Sequence, residues 1–229
     1  MSSGKSLVVS KSNALARAGN NLELIEAKVI EYCLSTLYKD DVVTEDTLFE
    51  VDIEVMGEYF GLLPSNAYRE LKKVFENILD KKVTFPTLSG EETVITHWIT
   101  SVIYNDRCNG LKLRFSKDIV PHISKEMLKK NFTMYKLEDV AGFKCKHSVI
   151  LYNFWKSYAH DKAKWQTPTI SIEDLRKMLY VGEEEYVLWG TFKKMILKSQ
   201  DEIEKRGLKV EMIEKKKGRK VEEVMWSLG

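Results

Sequence analysis

Only three cysteines occur in the 229 residues, Cys33, Cys108 and Cys145, and no two stand at CxxC spacing. An odd, dispersed set argues against a disulfide framework and reads as reduced, mostly buried thiols in a cytoplasmic protein. No apolar run approaches the length of a membrane span, and the opening Met-Ser-Ser-Gly-Lys-Ser has no hydrophobic signal region. A soluble protein without a membrane partner is expected. The four histidines, His97, His122, His147 and His160, are isolated, with no HxH or HExxH pair, so no metal site is expected. There is no GxxxxGK[ST] phosphate cradle. Gly4-Lys5-Ser6 resembles its end but lacks the upstream glycine and the preceding strand. Asp and Glu are plentiful but show no catalytic spacing, so neither an enzyme nor a cofactor is expected. Tyr152, Tyr158, Tyr180 and Tyr186 read as core residues rather than nucleophiles.

Charge is present in both signs but unevenly placed. The chain is +2 overall, yet residues 140–229 hold 18 Lys and Arg against 13 Asp and Glu, which leaves residues 1–139 at −3. A basic second half points to nucleic acid as its partner. The most informative stretch is 186–228. Trp189, Phe192, Ile196 and Ile203 recur on a helical period, which assigns them to core, with Lys193 beside that stripe and Lys194 and Lys198 largely off it. After Gly207 the period becomes two: Leu208, Val210 and Met212 alternate with charged residues, and Val221, Val224, Trp226 and Leu228 form a second such strand. Between them stand Lys215, Lys216, Lys217, Gly218, Arg219 and Lys220. Helix, strand, basic turn and strand in that order predict the second half of a winged helix, whose helix fits a major groove and whose hairpin reaches the backbone.

The same order occurs earlier. Helices are predicted over 22–38, 51–60 with Gly61 as its stop, and 64–81, followed by strands at 83–87, 94–104 and 111–115. The third helix carries Ser65, Asn66, Arg69 and Lys73 off its apolar stripe. Residues 118–130 read as a linking helix interrupted near Pro121, 135–146 as a connector, 148–160 as a helix, 169–172 as a strand and 172–180 as a helix capped by Ser171. Glu183, Glu184 and Glu185 then precede the basic helix, where acidic residues are favoured. The fold class is α+β: two winged-helix domains in tandem, related by architecture, without a residue-level repeat. Residues 1–20 read as a flexible tail with a short strand at 7–9, residues 21–135 as the first domain, and 136–229 as the second.

Four segments carry a family resemblance: VVSKSNALARAGNNLELIEAKVIEYCLS at the start, HSVILYNFWKSY opening the second half, ISIEDLRKMLYV leading through YVLWGTFKKMILKSQDEIEK, and KKKGRKVEEVMWSL at the end. In this order the chain resembles the theta-type, iteron-binding plasmid replication initiator (Rep) proteins. The resemblance implies sequence-specific binding of double-stranded DNA at origin direct repeats, and repression of its own promoter as a dimer on an operator inverted repeat. It also implies a homodimer in equilibrium with monomer, held through the first domain, and a host helicase or helicase loader as partner. The family often has arginines after its Phe-Lys pair, where this chain has Met195 after Lys194. The expected DNA contacts are Lys193, Lys194, Lys198, Lys216, Lys217, Arg219 and Lys220 in the second domain, and Ser65, Asn66, Arg69 and Lys73 in the first. The alternative is a winged-helix transcriptional repressor with no replication role.

Overall fold

The computed structural model describes residues 7–37, 41–87, 91–105, 107, 110–124, 131–159 and 165–229. The described residues open on a strand, β1 (Val8–Ser12), longer than the short strand expected at 7–9, followed by a single helical turn, α1 (Asn13–Ala16), and the short β2 (Gly19–Asn20). Residues 1–6 of the expected tail lie outside the described residues. The first winged helix follows: α2 (Leu24–Ser35), β3 (Phe49–Val51), α3 (Ile53–Phe60) and α4 (Pro64–Ile78). Asp52 caps α3 by accepting from the Val55 N–H, and Gly61 closes it in the left-handed conformation, φ 68°, which costs glycine least.

The strand expected over 94–104 is two strands. β4 (Lys82–Pro86) pairs with β5 (Thr93–His97), and β6 (Ile99–Asn105) pairs with β7 (Gly110–Phe115). The chain changes sheet at Trp98, which is buried and donates its backbone N–H to the Lys81 carbonyl at 3.1 Å. β2-β4-β5 form one sheet and β3-β7-β6 another. The enlarged wing is therefore a true wing, β6–β7, preceded by an inserted hairpin, β4–β5.

The joint between the two units contains α5 (Val120–Ile123), β8 (Phe132–Lys136) and α6 (Leu137–Ala141). Of the linking helix expected over 118–130, only α5 is seen, and residues 125–130 lie outside the described residues. The second winged helix is α7 (Lys146–Lys156), β9 (Trp165–Gln166), β10 (Ile170–Ser171), α8 (Ile172–Met178), α9 (Trp189–Glu204), β11 (Val210–Lys217) and β12 (Lys220–Leu228). Its sheet order β10-β12-β11 repeats β3-β7-β6, with β9 added against β12. Ser171 caps α8 by accepting from the Asp174 N–H. The core of this unit is aromatic: Trp226 packs against Trp155 and Phe154 at ring separations of 5.5 and 6.0 Å. Tyr152 is buried in the core as expected and Tyr158 packs against it half-buried, but Tyr180 and Tyr186 do neither. Both are exposed and both hold positive φ, 51° and 48°.

A buried polar network locks the joint. β1 pairs antiparallel with β8, Val8 opposite Lys136 and Ser12 opposite Phe132. That pairing carries Lys11, 2% exposed, into the interior, where its ammonium donates to Glu31 of α2 at 2.6 Å. Glu31 also accepts from Tyr135 of β8 at 2.7 Å and from the Asn153 amide of α7 at 2.9 Å. A buried charge is tolerable only when paired and hydrogen-bonded, and each partner here comes from a different element. Ser12 caps α1 and bonds the His122 ring at 2.8 Å, and Asn13 accepts from Thr133. The Lys-Ser-Asn motif is thus a structural clasp. Arg17 adds a second tie, donating to Ser157 at 2.8 Å and stacking 3.8 Å over the Tyr158 ring. Across the joint, β2 runs so close to α8 that a Cβ on Gly19 would sit 3.4 Å from the Lys177 carbonyl oxygen.

Candidate nucleic-acid interface

α9 buries Phe192, Met195, Ile196, Ser199 and Ile203. This is the predicted stripe with Met195 and Ser199 added and with Trp189 only partly buried. The opposite face presents Gly190, Thr191, Lys194, Lys198 and Asp201 to solvent. Lys194 and Lys198 stand one turn apart, and neither has an ion-pair partner among the described residues. Gly190 lies in the first turn with open space where a Cβ would be.

The hairpin β11–β12 has the predicted basic tip. Lys217 pairs with Lys220 across a two-residue turn, Gly218-Arg219. Gly218 has φ 63°, and glycine at the first central position is what a type II′ hairpin turn requires. Lys215, Lys216, Lys217, Arg219 and Lys220 are all exposed. The register shifts between Lys215 and Lys216, which adds twist just before the tip. Lys215 is drawn back to Thr169 at 2.7 Å.

One wing residue couples tip and helix. Glu214 accepts from Lys193 at 2.8 Å and from the Trp189 indole N–H at 3.1 Å, and Lys216 stands 3.8 Å away. The Lys193 hydrogen bond holds the Glu214 carboxyl below its ordinary range, helped by the Trp189 hydrogen bond and opposed by burial. Of the predicted contacts, Lys193 and Lys216 are thus partly neutralised by a wing carboxylate, while Lys194, Lys198, Lys217, Arg219 and Lys220 make no ion pair with it.

The acidic run does not cap α9. The N-cap is Leu188, without a side-chain hydrogen bond, and the first turn holds no acidic residue. Glu183–Glu185 instead belong to a turn organised by Arg176. Its guanidinium donates to the carbonyls of Gly182, Glu185 and Tyr186 and lies 5.2 Å over the Phe192 ring. Sequence reasoning missed Arg176, because its partners are backbone carbonyls.

In the first unit, α4 presents Ser65, Arg69 and Lys73 on successive turns, all exposed. Asn66 is half-buried and accepts from Arg69 at 3.0 Å. Lys72 lies 3.7 Å over the Tyr104 ring of β6, and Arg107 is exposed at the β6–β7 tip. Lys72 adjoins Lys73 in the basic cluster of α4, whereas Arg107 was absent from the predicted set because it stands alone in sequence. No group of three His, Cys, Asp or Glu side chains suited to a metal ion occurs among the described residues. No helix among them is long and apolar enough to cross a membrane.

Two three-helix units, each followed by a hairpin and each with exposed Lys or Arg side chains on its third helix, define a tandem winged-helix protein. Residues 8–156 match the family model described as initiator replication protein, WH1, and residues 171–225 the one described as initiator Rep protein, WH2. The chain belongs to this replication initiator protein family. The inner helix α7 lies within the first match yet packs on α9 of the second unit. Among solved structures it is similar to the Pi initiator protein in complex with iteron DNA, at a TM-score of 0.78 and 21% identity, covering 99% of this chain and 98% of that one. It is also similar to the WH1 domain of MSBI1.176, a replication protein isolated from a multiple sclerosis patient, at a TM-score of 0.38 and 18% identity, covering 48% of this chain and 86% of that one. Comparison with the curated proteins found no match.

Proposed function

We propose that this initiator binds a short duplex sequence repeated in tandem at an origin, with α4 and α9 in successive major grooves of one face. The observation that carries this reading is the pairing, within one body, of two third helices that each expose two cations one turn apart. Arg69 and Lys73 stand exposed on α4, and Lys194 and Lys198 stand exposed on α9. Helices set one turn apart on the duplex give a site of about 20 bp. The likeness to the Pi initiator protein in complex with iteron DNA supports binding to such repeats. In this reading Lys194, Lys198, Arg69, Lys73, Ser65 and Asn66 face the grooves. Lys216, Lys217, Arg219 and Lys220 neutralise phosphates, and Lys193 contributes from beside the wing. The protein acts in the cytoplasm by binding, without cutting either strand. The net-acidic first part of the chain supplies the contact between two copies on an inverted repeat, where the dimer represses.

Affinity measured against salt tests the phosphate assignments. With about 6 phosphates neutralised, binding falls roughly a thousandfold between 50 and 200 mM salt. A flat response refutes them. Incubation with supercoiled plasmid and Mg²⁺ leaves the plasmid intact, whereas nicking would make the protein an enzyme. Binding to a lone inverted repeat, with no tandem array, would favour a repressor.

A further inference from the structure

Leu63 and Leu188 are 68% and 70% exposed. Each is the N-cap of a third helix, α4 or α9, in extended conformation, and neither helix has a side-chain capping bond. That position favours Ser, Thr, Asp or Asn, and leucine caps poorly. Aligned on these leucines, the two helices repeat one another. Ala67 and Phe192 are buried at offset four, Leu71 and Ile196 at offset eight, and Ile78 and Ile203 at offset fifteen. Arg69 and Lys194 are exposed at offset six, and Lys73 and Lys198 at offset ten. Each leucine side chain therefore fills no core, makes no cap, and stands ahead of two exposed cations, with an exposed acidic residue, Glu76 or Asp201, farther along at offset thirteen.

We propose that Leu63 and Leu188 are specificity-determining residues that pack on the C5-methyl groups of thymines in two successive major grooves. The proposal rests on the DNA-binding reading above. The cations along each helix suit a polyanion, and residues at the N-terminal end of a recognition helix are those that meet base edges. The apolar feature that a major groove offers is the thymine methyl. Val187, 72% exposed, widens the apolar end of α9 alone.

The test uses the full chain and the duplex recovered by selection from random DNA, with each thymine replaced singly by deoxyuridine, which lacks only the methyl. Binding is read by fluorescence anisotropy for the parent, Leu63→Ser and Leu188→Ser. Serine is a better N-cap, so both variants should melt at or above the parent temperature. The parent loses about fourfold in affinity at each contacted thymine, the worth of one buried methyl-sized group. Leu188→Ser loses a similar amount on the unmodified duplex and becomes indifferent to uridine at one cluster of positions. Leu63→Ser becomes indifferent at a second cluster about one helical turn away. Variants that retain full parental sensitivity to uridine overturn the proposal, as does a parent that binds the duplex but responds to no uridine. A parent that binds no duplex at low salt overturns the DNA-binding reading itself, and the two failures are thereby distinguished.

Discussion

Replacing Lys11 with methionine is the sharpest probe of the clasp that fixes the two winged helices to each other. The substitution keeps the stem of the side chain and removes its charge. Glu31 is then left in a closed site with two neutral donors, Tyr135 at 2.7 Å and Asn153 at 2.9 Å, and no countercharge. Stranding one member of a buried ion pair costs about 3–5 kcal/mol. For a chain of this size each kcal/mol moves the melting temperature by about 2–4 °C, so Lys11→Met should melt roughly 6–20 °C lower. Urea unfolding followed by tryptophan fluorescence gives the free energy directly. The double variant Lys11→Met with Glu31→Gln removes both charges while leaving Tyr135 and Asn153 an acceptor, and should recover most of the loss. A single variant within about 1 kcal/mol of the parent, or a double variant less stable than the single, would refute the reasoning.

Other expectations follow from the interface and its surroundings. Glu214→Gln removes a carboxylate beside the proposed DNA face and frees Lys193, so affinity for any duplex at 50 mM salt should rise roughly threefold in a titration. Arg219→Glu with Lys220→Glu should weaken binding to all sequences alike and flatten the logarithmic salt slope by about 1.8. A response confined to one base position would mean that the wing reads sequence. Burial raises the Cys145 thiol, but hydrogen bonds from the His147 ring and backbone outweigh it and bring the thiol to about 7. Burial pushes the Cys33 thiol far up. Iodoacetamide at neutral pH should therefore label Cys145 well before Cys33 in peptide mapping, and equal rates would contradict this. Burial also lowers the His122 ring below its usual value. The unfolded chain then binds the proton first, so stability present at neutral pH is lost as pH falls below about 6.5. A His122→Asn variant should lack that component of the pH dependence.

The second winged helix could be read directly from the residues because its period changes from 3.6 to 2 at Gly207 and its cations collect in one turn. Both signals are local. The first winged helix was readable as an order of elements, but Trp98 hid a change of sheet inside what looks like one alternating strand. Lys11 and Ser12 look like tail residues because their partners, Glu31 and His122, lie 20 and 110 positions away. Arg176 was invisible for a related reason: backbone carbonyls leave no trace in sequence. The repeat between α4 and α9 escaped notice because equivalent core positions hold different residues, Ala67 against Phe192. Equivalence appears only when the helices are aligned on their N-caps, which needs the coordinates.

The central claim is that one chain places two recognition helices on a short tandem repeat. Selection of binding sites from random duplex DNA with the full chain, followed by a search for the selected motif beside the gene, tests it most directly. The account predicts a motif of about 20 bp occurring as tandem direct repeats. A motif of one major groove only, or one present solely as a single inverted repeat, would contradict it.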